Sequence, residues 1–176
     1  MKFFGCRLTI ETTVQKKLLA LFLAVPLLFH SSLVLAAAAK PTFDFSLPNL
    51  QGESVRLSSF KGKPILLKLG TTWCPACVRQ EQILDETAAE LRAAGVVVVE
   101  VFLQESAADV ARDRQASGGK ETSVVLLDDG QVQRGYNVYA IPRVLLIDRN
   151  FQVQHDGNLL TAAELKAALP VLTGTN

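Results

Sequence analysis

Two cysteines three residues apart, Cys74 and Cys77, carry the most distinctive chemistry in this chain. They stand in Trp73-Cys74-Pro75-Ala76-Cys77, between an apolar run, Pro64 to Gly70 (PILLKLG), and a segment patterned as a helix. A helix starting there aims its free N–H groups and positive dipole end at Cys74, which stabilises a thiolate and makes Cys74 the attacking group. Pro75 suits the first helical position, where its missing N–H costs nothing. Cys77, one turn on, is placed to resolve a mixed disulfide between Cys74 and a substrate. A structural disulfide draws its stability from closing a longer loop, so this tight pair points to redox work. Trp73 is read as either a substrate contact or a packing partner.

The elements around the pair follow from periodicity. Lys40 to Leu50 reads as extended, with Phe43, Phe45 and Leu47 alternating, and Val55 and Leu57 read as the return strand after a turn at Gln51-Gly52-Glu53. Ser58 to Lys63 is a polar connection, and PILLKLG is a strand buried on both faces. In the helix after the cysteines, Val78, Leu84, Ala88 and Leu91 form the expected buried stripe, ended by Gly95. Val96 to Leu103 is a second buried strand. Ser106 with Asp109 opens a further helix that stops at Gly118-Gly119, and Val124 to Leu127 is a strand. Val144 to Ile147 and Phe151 to Val153 are two more, joined by a turn. Thr161 with Glu164 caps a last helix, which Pro170 is expected to close. Strands alternating with helices describe an α/β domain with a central sheet.

Of the 176 residues, the first 39 differ from the rest. Lys2, Arg7, Lys16 and Lys17 form a basic start, Leu18 to Leu35 is largely apolar, and Ala36 to Ala39 offers small residues for cleavage. That is the pattern of a secretory signal, with an uncleaved membrane anchor as the alternative. The expected division is therefore a signal at 1–39 and one domain at 40–176. Removing residues 1–39 takes four of the 18 basic and one of the 17 acidic side chains, leaving 14 against 16. So even a balance gives no electrostatic footprint for nucleic acid. Cys6 leaves with the signal, and the remaining pair meets an oxidising compartment.

The stretch Leu57 to Cys77 (LSSFKGKPILLKLGTTWCPAC), together with Tyr139-Ala140-Ile141-Pro142 and the VLLID that follows Arg143, resembles the thioredoxin superfamily and its exported TlpA/ResA-like branch. The likeness spans roughly residues 43–170. It implies a thioredoxin-like α/β fold with an N-terminal β-hairpin and a central strand–helix insertion near 106–127. It also implies that Pro142 is cis and stands against the cysteines, with the Ile141 backbone free to pair with a substrate strand. Implied too are an envelope thiol–disulfide oxidoreductase that reduces partner proteins, a location in the periplasm or on the outer face of the membrane, and a membrane electron donor. A monomer is expected, with no cofactor beyond a redox-active Cys74–Cys77 disulfide and no metal.

Departures from the family pattern single out further residues. Gln80, with Glu81 beside it, stands where reductases of the branch often carry Glu. Lys68 matches the buried Asp of thioredoxin, and Glu100, the one charge in the next strand, matches its Lys. Lys68 and Glu100 are thus expected to face each other behind Cys77 as a proton relay, the alternatives being an inert buried pair or side chains on opposite faces of the sheet. His155 is expected beyond the last strand and at the surface, and Arg143 either contacts a partner or is solvated. The aromatics at 43, 45, 60 and 151 are read as core.

Three rival readings are weighed, one of them a structural domain whose redox pair is incidental. A peroxiredoxin would share Thr71 three residues before Cys74, but would have proline at position 67 rather than Leu67, and arginine in place of Pro142. A copper- or zinc-carrying module would leave a tetrahedral site half filled by two thiolates.

Overall fold

The computed structural model describes residues 40–118 and 123–174, so the expected signal segment lies outside the described residues. The strands are β1 (Lys40–Pro41), β2 (Ser46–Pro48), β3 (Ser54–Arg56), β4 (Ile65–Gly70), β5 (Val97–Leu103), β6 (Ser123–Asp128), β7 (Arg143–Ile147) and β8 (Gln152–Gly157). The helices are α1 (Pro75–Glu86), α2 (Ala88–Ala93), α3 (Ala107–Ala116), α4 (Gln131–Gly135) and α5 (Ala162–Thr173). Six strands form one sheet in the order β1-β8-β7-β4-β5-β6, while β2 and β3 form a separate antiparallel hairpin. β5 runs parallel to β4 and β6 parallel to β5, whereas β7 lies antiparallel on the other side of β4.

β4 is the strand on which the rest is hung, and all of its residues are buried. Side chains on a strand alternate between faces. Ile65, Leu67 and Leu69 enter a core shared with Phe45, Leu47, Val99, Val101 and Leu145. Leu66 enters the opposite core with Leu84, Leu91, Leu146 and Leu165. Lys68 and Gly70 share the parity of Leu66, so they lie on the face that α1 covers. In the parallel register Lys68 is opposite Glu100, which puts the two anomalous charges on one face.

Several expectations need correction. Val78 is exposed, and the buried face of the helix runs instead through Cys77, Gln80, Ile83 and Leu84. The helix also breaks at Thr87, whose hydroxyl donates back to the Ile83 carbonyl at 2.7 Å, a bond that competes with the helical ladder. Leu57 opens a 3-10 turn over Leu57–Phe60 rather than extending β3. Phe43 is exposed, although its ring meets Tyr136 edge-on at 5.5 Å. β8 starts one residue later than expected and runs on to Gly157, so His155 sits within the strand opposite Leu146. Pro170 lies inside α5, and Gly174 in the left-handed region ends that helix. The short helix α4 was not expected, because Val132 is its single buried side chain.

At the start of α5 the capping box is complete: Thr161 accepts the Glu164 N–H, and Glu164 accepts the Thr161 N–H at 2.9 Å. Thr161→Ala should lower stability by about 1 kcal/mol, read as a lower urea midpoint with unchanged slope.

Candidate active site

The chain leaves the carboxyl end of β4 through Thr71 and Thr72 and enters α1 with Cys74 as its N-cap residue. The N-cap side chain normally accepts a free amide of the first turn, and here a sulfur does so. Cys74 Sγ accepts the Cys77 N–H at 3.3 Å and lies 3.9 Å from the Ile141 carbonyl oxygen. Both cysteines are thiols. Cys74 is 7% exposed and Cys77 fully buried, so Cys74 is the more accessible of the two without being open to solvent. Burial first, and then the neighbouring Cys74 sulfur, pushes the Cys77 thiol up to about 12.

The Ile141–Pro142 peptide is cis. The loop that carries it is held by Arg143, whose side chain is engaged within the protein. Its guanidinium donates to both carboxylate oxygens of Asp156, at 2.7 and 2.9 Å, and to the carbonyls of Tyr136 and Asn137. Trp73 and Tyr139 stand exposed at 73% and 92%, one beside each half of the site. On the Cys74 side, Glu105 accepts the Thr72 N–H at 2.8 Å and its hydroxyl at 2.6 Å, which fixes the loop before Trp73.

Behind Cys77 lies a buried ionic network. Lys68 Nζ donates to Glu100 Oε2 at 2.9 Å and also to Glu81 Oε1. The other Glu100 oxygen accepts from Arg114 and, at 2.7 Å, from the Ser123 hydroxyl. Burial works against the Lys68 charge, but Glu100 and Glu81 outweigh it and its pKa is raised. Burial opposes the Glu100 charge too, yet Lys68, Arg114 and Ser123 hold its pKa down at about 2. Glu81 goes the other way: burial dominates and raises its pKa in spite of Lys68. One ammonium serves two carboxylates, and the carboxylate with the extra cation and hydroxyl is the one whose pKa is held down.

Gln80 is also buried here and does structural work, its side chain exchanging two hydrogen bonds with the backbone of Leu160. The structure thus brings Trp73, Cys74, Pro75, Cys77, Ile141 and Pro142 to one place and puts Lys68 and Glu100 together behind it. Sequence reasoning did not assign Glu81, Glu105, Arg114 or Ser123. Glu81 alone had a signal, since it lies one helical turn after Cys77 on the same face.

A parallel-centred sheet that delivers two thiols to a strand–helix junction, facing a cis-proline, has the geometry of a thioredoxin-fold thiol–disulfide oxidoreductase. The chain belongs to the AhpC/TSA family, whose model matches residues 38–156. The thiol-disulfide oxidoreductase ResA of Geobacillus kaustophilus is 30% identical over 126 residues, which cover 72% of each chain. The thiol:disulfide interchange protein DsbE of Vibrio cholerae is 30% identical over 115 residues, 64% of this chain and 60% of that one. A solved Chlorobium tepidum structure, provisionally assigned as DsbE, superposes with a TM-score of 0.65 at 29% identity, covering 74% of this chain and 96% of its own. These likenesses agree with the thioredoxin-like fold and with exchange chemistry.

Linkage gives Glu100 a signature. Its folded pKa lies below the ordinary 4.5, at about 2, so its contribution is present above 4.5 and is lost as pH falls towards 2. Glu100→Gln should cost on the order of 3 kcal/mol at neutral pH, because it leaves two buried cations short of a partner. The gap between variant and parent, read by urea unfolding, should close between those two pH values. A gap independent of pH would show that Glu100 is not ionised there.

Proposed function

We propose that the protein is an exported reductase of protein disulfides, with Cys74 as the attacking thiolate and Cys77 as the resolving thiol. The observation that carries this reading is the seating of the Cys74 sulfur at the helix N-cap, 3.3 Å from the Cys77 amide. An amide donor and the helix dipole both favour a thiolate.

In the proposed cycle, Cys74 attacks one sulfur of a substrate disulfide and the other leaves as a thiolate. Cys77 then attacks Cys74, the second substrate thiolate leaves, and the enzyme holds a Cys74–Cys77 disulfide. No cofactor is called for. The substrate gains two electrons, and a membrane electron donor restores the dithiol. Pro75 starts the helix. Ile141 and Pro142 offer a backbone edge against the substrate strand, and Trp73 supplies an apolar contact beside it. Lys68, held in place by Glu100, serves the proton that Cys77 must lose. The pattern of residues 1–39 supports export to the periplasm or the outer face of the membrane, by a cleaved signal or a retained anchor. A monomer acting on protein thiols, with no nucleic-acid partner, fits the balanced charge.

Reduced protein should reduce insulin. Cys74→Ser should abolish that activity, and Cys77→Ser should trap a mixed disulfide with the substrate. An active Cys74→Ser protein would refute the assignment. Potentials in this fold run from about −270 mV to about −120 mV, and a value near the upper end would reverse the direction proposed. Peroxide turnover, or stoichiometric copper or zinc binding, in place of insulin reduction would favour one of the rival readings.

A further inference from the structure

Cys77 attacks only after losing a proton, and its thiol is buried away from water. The proton therefore needs an acceptor on the inner side of the site, where two carboxylates share Lys68. Glu100 is fully engaged: one oxygen accepts from Lys68 and the other from Arg114 and Ser123, and the residue is 4% exposed. A carboxylate held by two cations and a hydroxyl has little affinity left for a proton. Glu81 is held by Lys68 through one oxygen, and its side chain is 17% exposed. It lines a cavity of about 290 Å³ whose walls include Leu84, Leu91, Val98 and Arg114.

Gly70 brings this network to the sulfur. A methyl group on Gly70 would lie 2.9 Å from Cys77 Sγ and 3.7 Å from Lys68 Cε. The bare glycine therefore lets the thiol and the lysine stem approach the same patch of β4.

From this geometry we infer that Glu81 is the carboxylate that exchanges the Cys77 proton with solvent, acting through Lys68 while Glu100 stays ionised and holds the lysine. The inference rests on the dithiol reading above. As Cys77 gives its proton to Lys68, the ammonium hands one to the Glu81 carboxylate, so the lysine ends as it began. The Cys77 thiolate attacks Cys74 Sγ, the Cys74–substrate S–S bond breaks, and the Cys74–Cys77 bond forms. The substrate sulfur leaves with the electron pair, and Glu81 releases its proton through the cavity.

Glu81 does not touch the reacting sulfurs and is a positioning residue. The groups facing it are Lys68 on β4, Glu100 on β5 and Arg114 on α3, with Cys77 one turn earlier on its own helix. Asp85 and Arg92 line the same cavity. Desolvation raises the Glu81 pKa above the ordinary carboxylate value, in spite of Lys68. Below that pKa it already carries a proton and accepts none, and resolution slows.

Stopped-flow mixing of the reduced full-length protein with dithiobis(nitrobenzoate) separates the steps. One nitrothiobenzoate is released when Cys74 attacks and a second when Cys77 resolves. In the parent protein the second phase should slow through an inflection above the ordinary glutamate range. In Glu81→Gln that inflection should vanish and the second phase should slow about a hundredfold at neutral pH, the low end of what general-base removal gives. The first phase should be unchanged, and Glu81→Asp should restore part of the inflection. A second phase with parental rate and pH profile in Glu81→Gln would overturn the inference. Absence of any second phase in the parent would instead overturn the dithiol reading beneath it. If Glu81→Gln does not fold, the Glu81 carboxyl can be titrated in the parent by carbon-13 NMR. Its midpoint should differ between the dithiol and disulfide forms, and an identical midpoint in both would also overturn the inference.

Discussion

A lysine at the centre of a buried strand sets the terms for everything on its face of the sheet. An ammonium there without partners would cost several kcal/mol or give up its proton. Lys68 meets that constraint with carboxylates from two directions, Glu100 in register on β5 and Glu81 one turn past Cys77 on α1. Two carboxylates against one ammonium would leave an excess of negative charge, and Arg114 from α3 removes it. The Phe102 ring lies 5.5 Å from Lys68 Nζ and 5.6 Å from the Arg114 guanidinium, so its face meets both cations. The site helix, the central strands and the inserted helix are therefore tied by one set of charges.

Much of this was legible in the sequence because strands obey a period of two. A charge in the middle of PILLKLG and another in the middle of Val96 to Leu103 are anomalies that only pairing explains, and the parallel register matches them. The helix partners are less legible. Arg114 sits on α3, where charged residues are usually solvated, and nothing local marks it as turned inward, while Glu81 on α1 is marked only by lying one turn after Cys77. The misplaced stripe on α1 has a simple cause. Cys77 is both a reactive group and the first buried position of the helix. With Cys77 counted, the buried face passes through Gln80, Leu84, Thr87 and Leu91. Two of those are polar, which is why the apolar pattern pointed to Val78.

Edges and short elements were the least legible. The polar sequence of β8 beyond Val153 carries no strand signal, and its pairing with β7 is imposed by the sheet. Pro170 was expected to end a helix, but only its own missing N–H is lost in the final turn, and the helix continues to Gly174. The 3-10 turn at Leu57–Phe60 follows from Leu57, which is fully buried and must leave the hairpin to reach the core.

The two sulfurs are positioned by means of different physical character. On the outer side, Arg143 with Asp156 fixes the cis-proline loop and Glu105 fixes the loop before Trp73, and these groups are at least partly solvated. Interactions of that kind are screened by salt and individually modest. They leave the substrate side able to adjust while holding Ile141 and Cys74 near each other. On the inner side Lys68 and Glu100 are buried, with Glu81 and Arg114 at the edge of the network, so the charges there are screened less than those outside. An attacking thiol has to meet many partner shapes, whereas a resolving thiol meets the same neighbouring sulfur each time. The structure follows that difference, with compliant polar ties around Cys74 and a buried charge network behind Cys77.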